Sequence, residues 1–198
     1  SNYIPEDERI ITIEDSAELQ ILNIPNLVRM ETRNANVEGC QEITIRDLIK
    51  TSLRMRPDRI IVGEVRGGEA FDMMQCLNTG HDGSMSPGHA NSSKDMLNRL
   101  ENMILMGMDL PLNAIRQQIA SGIDIIIHLG RLRDKSRKVL EIVEVLGFEA
   151  GEILLKPLYS FTETGEDEDG KVRGILKKKG ELTYVEKLKS AGLYSGIG

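Results

Sequence analysis

The feature that most constrains the fold is a short apolar segment, Arg59 to Gly63, which ends in a glutamate and two glycines. Its centre, Ile60 to Val62, is β-branched and uncharged, which predicts a buried central β-strand. Glu64 follows directly, and Gly67-Gly68 break the strand before a helical pattern. Ligands of open α/β sheets bind just beyond the carboxyl ends of the strands. Glu64 is therefore a candidate for chemistry on a ligand, although a surface glutamate in a strand-to-helix turn fits the same pattern.

A second strand with acids at its end lies near the start of the chain. Arg9 to Ile13 is predicted to be a strand, and Glu14 and Asp15 follow it. If both strands belong to one parallel sheet, their carboxyl ends bring Glu14 and Glu64 towards a common crevice. Capping of the next turn by Glu14-Asp15-Ser16 is the alternative role for these residues.

The remaining pattern alternates strands and helices to about residue 127 and then becomes a mostly antiparallel β segment. A capping box at Thr44 and Asp47 opens a helix that ends near Met55. The other predicted helices are Gly68–Asn78 (burying Phe71 and Met74), Ser93–Met106, one from Pro111 and Thr183–Ala191. The other predicted strands are Leu27–Thr32, His81–His89 (strand-like), Ile123–Ile127, Val139–Phe148, Leu154–Phe161 and Val172–Leu176, the last two joined by an acidic loop, Glu163–Gly170. We assign residues 1–135 to an α/β core and residues 136–198 to a β-rich extension of the same domain.

Composition excludes several classes of protein. A net charge of −6 argues against a general nucleic-acid binder, and 3 Phe, 4 Tyr and 0 Trp offer no base-stacking platform. Cys40 and Cys76 fit no metal spacing, so we expect reduced thiols. The Asp167-x-Asp169-Gly170 stretch lacks the ligand spacing of a calcium loop and predicts a hairpin turn. With no apolar run near the ~20 residues of a membrane span and a polar start, we expect a cytoplasmic protein.

Three motifs together resemble the secretion-superfamily ATPases, and most of all the CpaF-like ATPases of Tad/Flp pilus assembly, relatives of type II and type IV secretion motors. In that family the first motif is the aspartate box, the second an atypical Walker B motif and the third the histidine box. The motifs are RIITIED (Arg9–Asp15), LRMRPDRIIVGEVRG (Leu53–Gly67) and TGHDGSMSPGHAN (Thr79–Asn91).

The resemblance implies a partial RecA-like P-loop NTPase sheet in a hexameric ATPase that uses ATP and Mg²⁺. It also implies a place on the cytoplasmic face of the inner membrane, where such motors drive pilus assembly or secretion through platform proteins. Glu64 would be the Walker B glutamate, acting on the attacking water and, through water, on Mg²⁺. Glu14 would assist as the acidic-box carboxylate, and His89 would lie near the γ-phosphate. The resemblance also makes four further residues candidates for contacts with nucleotide or a neighbouring subunit: Arg54, Arg66, His81 and Asp15.

Plainer roles compete with several of these assignments. His89 could be a polar residue at a strand end, and Arg54, Arg56 and Arg59 could form a solvated basic rim. His128 lies in an apolar strand, and we interpret it as structural.

The chain departs from the family pattern in two places. No G-x-x-x-x-G-K-[ST] sequence occurs in it, and the family carries this phosphate loop just upstream of the matched region. We therefore expect a C-terminal portion of the motor that neither binds ATP tightly nor hydrolyses it alone. Pro87 replaces a small hydroxyl residue of the family and cannot donate to a strand ladder, which weakens the placement of His89. The alternatives are a non-catalytic assembly or regulatory module derived from such a motor and a RecA-like nucleic-acid motor.

Overall fold

The computed structural model describes residues 3–35 and 39–193, which form two compact units. The first unit combines Ser1–Ala90 with Met96–Gly122, and the second combines Asn91–Asp95 with Ile123–Gly198. The predicted loop from Asn34 to Gln41 lies partly outside the described residues. A parallel sheet with helices is thus followed by an antiparallel β segment, which confirms the predicted fold class.

A three-stranded parallel sheet in the order β2-β1-β3 forms the centre of the first unit. The central strand, β1, is buried along its whole length, as its run of isoleucines predicts. The elements of this unit are β1 (Ile10–Glu14), β2 (Leu27–Glu31), α1 (Ile45–Ser52), β3 (Arg59–Val62), α2 (Glu69–Leu77), α3 (Ser93–Gly107, whose first turn is grouped with the second unit) and α4 (Leu112–Gly122). Its fully buried side chains include Ile10, Ile11, Ile13, Ile49, Ile60, Met74, Ile104, Ile115 and Ile119.

The predicted capping box of α1 is confirmed, whereas the buried face of α2 differs from the prediction. The capping box of α1 is present, because the Thr44 hydroxyl accepts the Asp47 N–H and the Asp47 carboxylate accepts the Thr44 N–H. In α2, Met74 is buried as predicted, but Phe71 is only half-buried. The side chains that α2 buries in place of Phe71 include Ala70, Met73 and Cys76.

The predicted strand from His81 to His89 is wrong. Only Met85 pairs there, in an isolated parallel bridge to Ile61 of β3. Gly83 adopts φ +79°, a left-handed conformation that interrupts an extended chain, and Pro87 has no N–H to donate to a ladder. The segment therefore follows β3 for one residue and then leaves it.

The second unit is a four-stranded antiparallel sheet in the order β4-β5-β6-β7, followed by a short helix. Its elements are β4 (Ile125–Arg131), β5 (Arg137–Glu149), β6 (Glu152–Glu166), β7 (Val172–Lys178) and α5 (Glu186–Ser190). β4 begins two residues later than predicted and pairs with β5, so it belongs to this sheet and not to the α/β part in which the sequence placed it. β6 extends into the predicted acidic loop, and the Asp167 carboxylate accepts the N–H groups of Asp169 and Lys171 in the remaining turn.

The last helix starts at Glu186 and not at Thr183, because the segment before it binds a buried carboxylate. Glu144 of β5 is 2% exposed and accepts the N–H groups of Thr183 (2.8 and 2.9 Å) and Tyr184 (2.8 Å). Burial, the largest influence, acts to raise the pKa of Glu144, but the backbone hydrogen bonds from Tyr184 and Thr183 outweigh it and lower the pKa. Glu144 therefore attaches the final segment of the chain to the sheet.

Glu144→Ala is expected to destabilise the second unit by about 2 kcal/mol, since hydrogen bonds to a charged acceptor are lost and two backbone donors lose their partner. The folded-state pKa is lowered, so this stabilisation is fully present above the unfolded-state value of roughly 4.3 and is lost as the pH falls through the lower folded value. Hydrogen exchange of second-unit amides at pH 7 and at acid pH measures both effects. Glu149→Gln, at the exposed end of the same strand, is the matched control. Equal protection in Glu144→Ala and wild type would contradict the assignment.

Candidate active site

The carboxyl ends of β1 and β3 lie side by side at one edge of the parallel sheet. The Gly63 N–H, just after β3, donates to the carbonyl of Ile13 at 2.7 Å. A Cβ at Gly63 would lie only 2.9 Å from Cγ of Glu14, so glycine permits this close approach. The structure therefore brings Glu14 and Glu64 to the same edge.

Glu14, however, is directed into the protein. Its side chain is buried, and Oε1 accepts the N–H groups of Glu18 (3.0 Å) and Leu19 (2.9 Å). This carboxylate fixes the path of the loop after β1, which is the turn-capping role that the sequence left open. Its neighbour Asp15 is exposed and accepts a hydrogen bond from the Thr32 hydroxyl at 3.2 Å.

Glu64 is held by the side chain of Arg66. Nε of Arg66 donates to Oε2 at 2.7 Å, and Nη2 donates to Oε1 at 2.5 Å. The hydrogen bond from Arg66 lowers the pKa of Glu64, burial opposes the shift, and the charges of Arg66 and of the nearby His89 lower the pKa further. Glu64 is therefore an ionised carboxylate at the sheet edge, and His89 is near enough to interact with it electrostatically.

Two adjacent hollows of about 490 and 290 Å³ open at this edge, and Asp15, Glu64 and Arg66 line both of them. The smaller hollow is also lined by Glu14 and Glu18. The larger one extends to the beginnings of α1 and α2 and to the end of α3. The hollows are strongly polar, as a site for a charged ligand requires. In residues 3–35 and 39–193, no group of three or more His, Cys, Asp or Glu side chains is arranged to hold a metal ion by itself.

The other two candidate residues lie elsewhere. Arg54 is exposed in the turn after α1. Because α1 connects the parallel strands β2 and β3, it returns the chain to the amino edge of the sheet, where Arg54 therefore lies. His81 is half-buried beside the last turn of α2, where its Nδ1 lies 3.2 Å from the carbonyl oxygen of Cys76. Neither residue lines the hollows around Glu64, so a role across a subunit boundary stays a prediction for Arg54.

Two residues that shape the surroundings of Glu64 were missed by sequence reasoning. Glu69, in the first turn of α2, accepts the N–H groups of Arg66 (2.7 Å) and Gly67 (3.0 Å) and so fixes the turn that carries Arg66. Arg46, in the first turn of α1, lines the larger hollow and donates to the buried Asp72 at 2.5 Å. The role of Glu69 could have been found from the sequence, because this glutamate directly follows a glycine pair. The Arg46–Asp72 pair could not, because it depends on how two helices meet.

His128 lies next to a glutamate of its own sheet. Its Nδ1 lies 3.8 Å from Oε1 of Glu141 in the second unit, and Glu141 also accepts the N–H and hydroxyl of Ser93. This arrangement agrees with the structural interpretation of His128. No helix in the described part of the chain is long and apolar enough to cross a membrane.

Comparison with known proteins shows a consistent set of relatives. Residues 1–173 match the family described as "Type II/IV secretion system protein". The chain is 43% identical over 139 residues to a putative conjugal transfer protein of Mycobacterium tuberculosis and 41% identical over 145 residues to the type IV secretion system protein VirB11 of Bartonella henselae. Each match covers 70% of this chain and 39% of the relative, so the chain spans about two-fifths of the length of these proteins.

Two solved structures resemble the fold. The crystal structure of the VirB11 ATPase from the Brucella suis type IV secretion system, in complex with sulphate, matches with a TM-score of 0.63 and 34% identity, covering 71% of this chain and 41% of that one. The ATPase DotB of Legionella pneumophila matches with a TM-score of 0.52 and 20% identity, over 69% of this chain and 37% of that one. At that identity, the second match supports the fold alone.

Proposed function

The chain belongs to the type II/IV secretion system protein family, and we propose that it supplies the acidic half of the ATP-hydrolysis site of a secretion motor. The observation that carries the proposal is the position of Glu64, an ionised carboxylate at the carboxyl edge of a parallel sheet, facing polar hollows that Asp15 also lines. Ligands of open α/β sheets bind at this edge.

The residues fit one part of a Mg²⁺–ATP site. The carboxylate of Glu64 suits the water shell of Mg²⁺, which keeps several of its waters in protein sites. The phosphate-binding loop is not among these 198 residues, because no G-x-x-x-x-G-K-[ST] sequence occurs. Bound ATP would supply the phosphoryl group, and its Mg²⁺ ion would supply positive charge beside the phosphates. Phosphoryl transfer then requires mainly positioning and charge stabilisation from the protein.

Within that reaction we assign Glu64 to the attacking water. A carboxylate at hydrogen-bond distance from the water orients it and accepts its proton as the bond to phosphorus forms. Glu14 keeps the loop after β1 in place, which makes it a positioning residue and revises the direct catalytic role expected for it. We place His89, which is near enough to Glu64 to interact with it electrostatically, beside the γ-phosphate.

For the whole protein, we propose a hexameric ATPase on the cytoplasmic face of the inner membrane that works with platform proteins in pilus assembly or secretion. The assignment to Tad/Flp pilus systems rests on the three motifs. The similarity to VirB11 proteins at 41% identity supports the broader class of secretion motors.

The isolated chain is expected to show no ATP turnover above background, because the β- and γ-phosphates of ATP would lack the backbone N–H groups and lysine of the phosphate-binding loop. A chimera that joins the part of the mycobacterial relative preceding the matched region to this chain is expected to hydrolyse ATP. Phosphate release measures both proteins. Turnover by the isolated chain that is lost in Glu64→Gln would contradict the expected inactivity.

The second candidate function is an assembly or regulatory module without catalysis. It is favoured by the engagement of both Glu64 oxygens with Arg66. A chimera that folds and binds ATP but does not hydrolyse it would support this function over the enzyme.

A further inference from the structure

The carboxylate assigned to the attacking water already accepts a hydrogen bond at each oxygen. Both oxygens of Glu64 accept hydrogen bonds from the guanidinium of Arg66, at 2.7 and 2.5 Å. A two-point pair of this kind fixes the orientation of the carboxylate and occupies its best acceptor directions. A water molecule that must be oriented by Glu64 competes with Arg66 for the same lone pairs.

Arg66 has a fixed backbone and an exposed side chain. Oε1 of Glu69 accepts the Arg66 N–H at 2.7 Å, which attaches the backbone to the beginning of α2. The Arg66 side chain is 73% exposed, whereas that of Glu64 is 24% exposed. Exposed ion pairs contribute little net free energy, so this pair can open without disturbing the fold.

A second acceptor for Arg66 lies across the same hollows. Asp15 lines both hollows with Arg66. The hydrogen bond to Glu64 and the charge of Glu64 raise the pKa of Arg66 most, and the charge of Asp15 raises it further. The Thr32 hydroxyl donates to Oδ1 of Asp15 and orients this carboxylate. Arg66 is therefore within the electrostatic reach of two carboxylates on neighbouring strand ends.

We propose that Arg66 is a positioning residue that holds Glu64 in an unreactive state and moves to Asp15 when Glu64 engages its water. In the closed state, Arg66 binds both Glu64 oxygens. In the open state, the guanidinium pairs with Asp15, and Glu64 becomes free to accept a proton. The proposal rests on the proposed function, because it concerns the control of the same carboxylate.

The closed state is tested on the 198-residue chain without any nucleotide. A ¹³C NMR titration of the Glu64 carboxyl, assigned through Glu64→Gln, is expected to show a higher midpoint in Arg66→Gln than in wild type. Arg66→Lys should restore the shift only in part, since an ammonium is a point charge and not a two-point donor. Arg54→Gln, an exposed arginine away from the hollows, should leave the midpoint unchanged. Equal midpoints in wild type and Arg66→Gln would overturn the closed state.

The transfer to Asp15 is tested by the exchange of the Arg66 Nε proton with water. Protection should persist in Glu64→Gln, where Asp15 takes the guanidinium, and disappear in the double variant Glu64→Gln/Asp15→Asn. Loss of protection in Glu64→Gln alone would overturn the transfer.

The consequence for catalysis is tested in the chimera. Arg66→Gln is expected to raise basal ATP turnover several-fold, because Glu64 no longer has a competing partner, and unchanged or reduced turnover would overturn the control proposed for Arg66. A chimera that is inactive with Arg66 intact contradicts the proposed function instead, while the NMR results on the chain still decide whether the pair and the transfer exist.

Discussion

Gly107→Ala is expected to lower the free energy of unfolding of the first unit by about 2–3 kcal/mol. The end of α3 and the beginning of α2 meet there backbone to backbone. A Cβ on Gly107 would lie 2.7 Å from Cα of Gly68, and a Cβ on Gly68 would lie 2.6 Å from Cα of Gly107. Backbone atoms cannot rotate away as a flexible side chain can, so the two helices would have to separate. The gain in helix propensity from glycine to alanine, about 1 kcal/mol in a helix interior, is too small to reverse the effect.

Hydrogen exchange of first-unit amides measures this change, because the two units need not unfold together. Gly67→Ala is the matched control. A Cβ there would meet only flexible atoms, a carboxylate oxygen of Glu69 at 3.2 Å and the methyl group of Met106 at 3.9 Å. We expect the control to change stability by less than about 0.5 kcal/mol. A Gly107→Ala protein as stable as wild type would show that the helices do not meet at these glycines.

Much of the first unit could be predicted because its signals are local. Each signal lies within a few residues: the β-branched run of β3, the capping box of α1 and the acids at two strand ends. Parallel pairing of β1 with β3 then brings the two acidic strand ends to one edge of the sheet. The second unit was harder to place. The pattern of β4 indicates a strand, but only its partner decides the sheet, and that partner, β5, is an antiparallel neighbour.

The direction of individual side chains was not predictable from spacing. The sequence places Glu14 and Glu64 alike, directly after their predicted strands, yet Glu14 is buried against the N–H groups of the following loop and Glu64 is half-buried against Arg66. The difference arises because Ile13 pairs with Val62, so that Glu14 is the last residue of β1 whereas Glu64 lies two residues beyond the end of β3. Contacts distant in sequence, such as Gly68 with Gly107, also leave no periodic signal.

Glu64 is central to the proposed function because it meets three requirements of a residue that activates water. Its carboxyl group is ionised, it stands at the carboxyl edge of the parallel sheet, where ligands of such sheets bind, and it lines an open hollow. Glutamine at this position keeps the shape of the side chain and removes its capacity to take a proton. General-base catalysis contributes typically 10²–10⁴-fold to a rate. We therefore expect the loss of the proton acceptor to lower ATP turnover far more than any accompanying change in protein stability would.

ATP turnover of the chimera with Glu64→Gln tests the central claim most directly. We predict a fall of at least about 100-fold with ATP binding retained. Glu18→Gln, an exposed glutamate on the same hollow, should leave turnover near the wild-type value. Wild-type turnover in folded Glu64→Gln protein would contradict the assignment of Glu64 as the carboxylate that activates water.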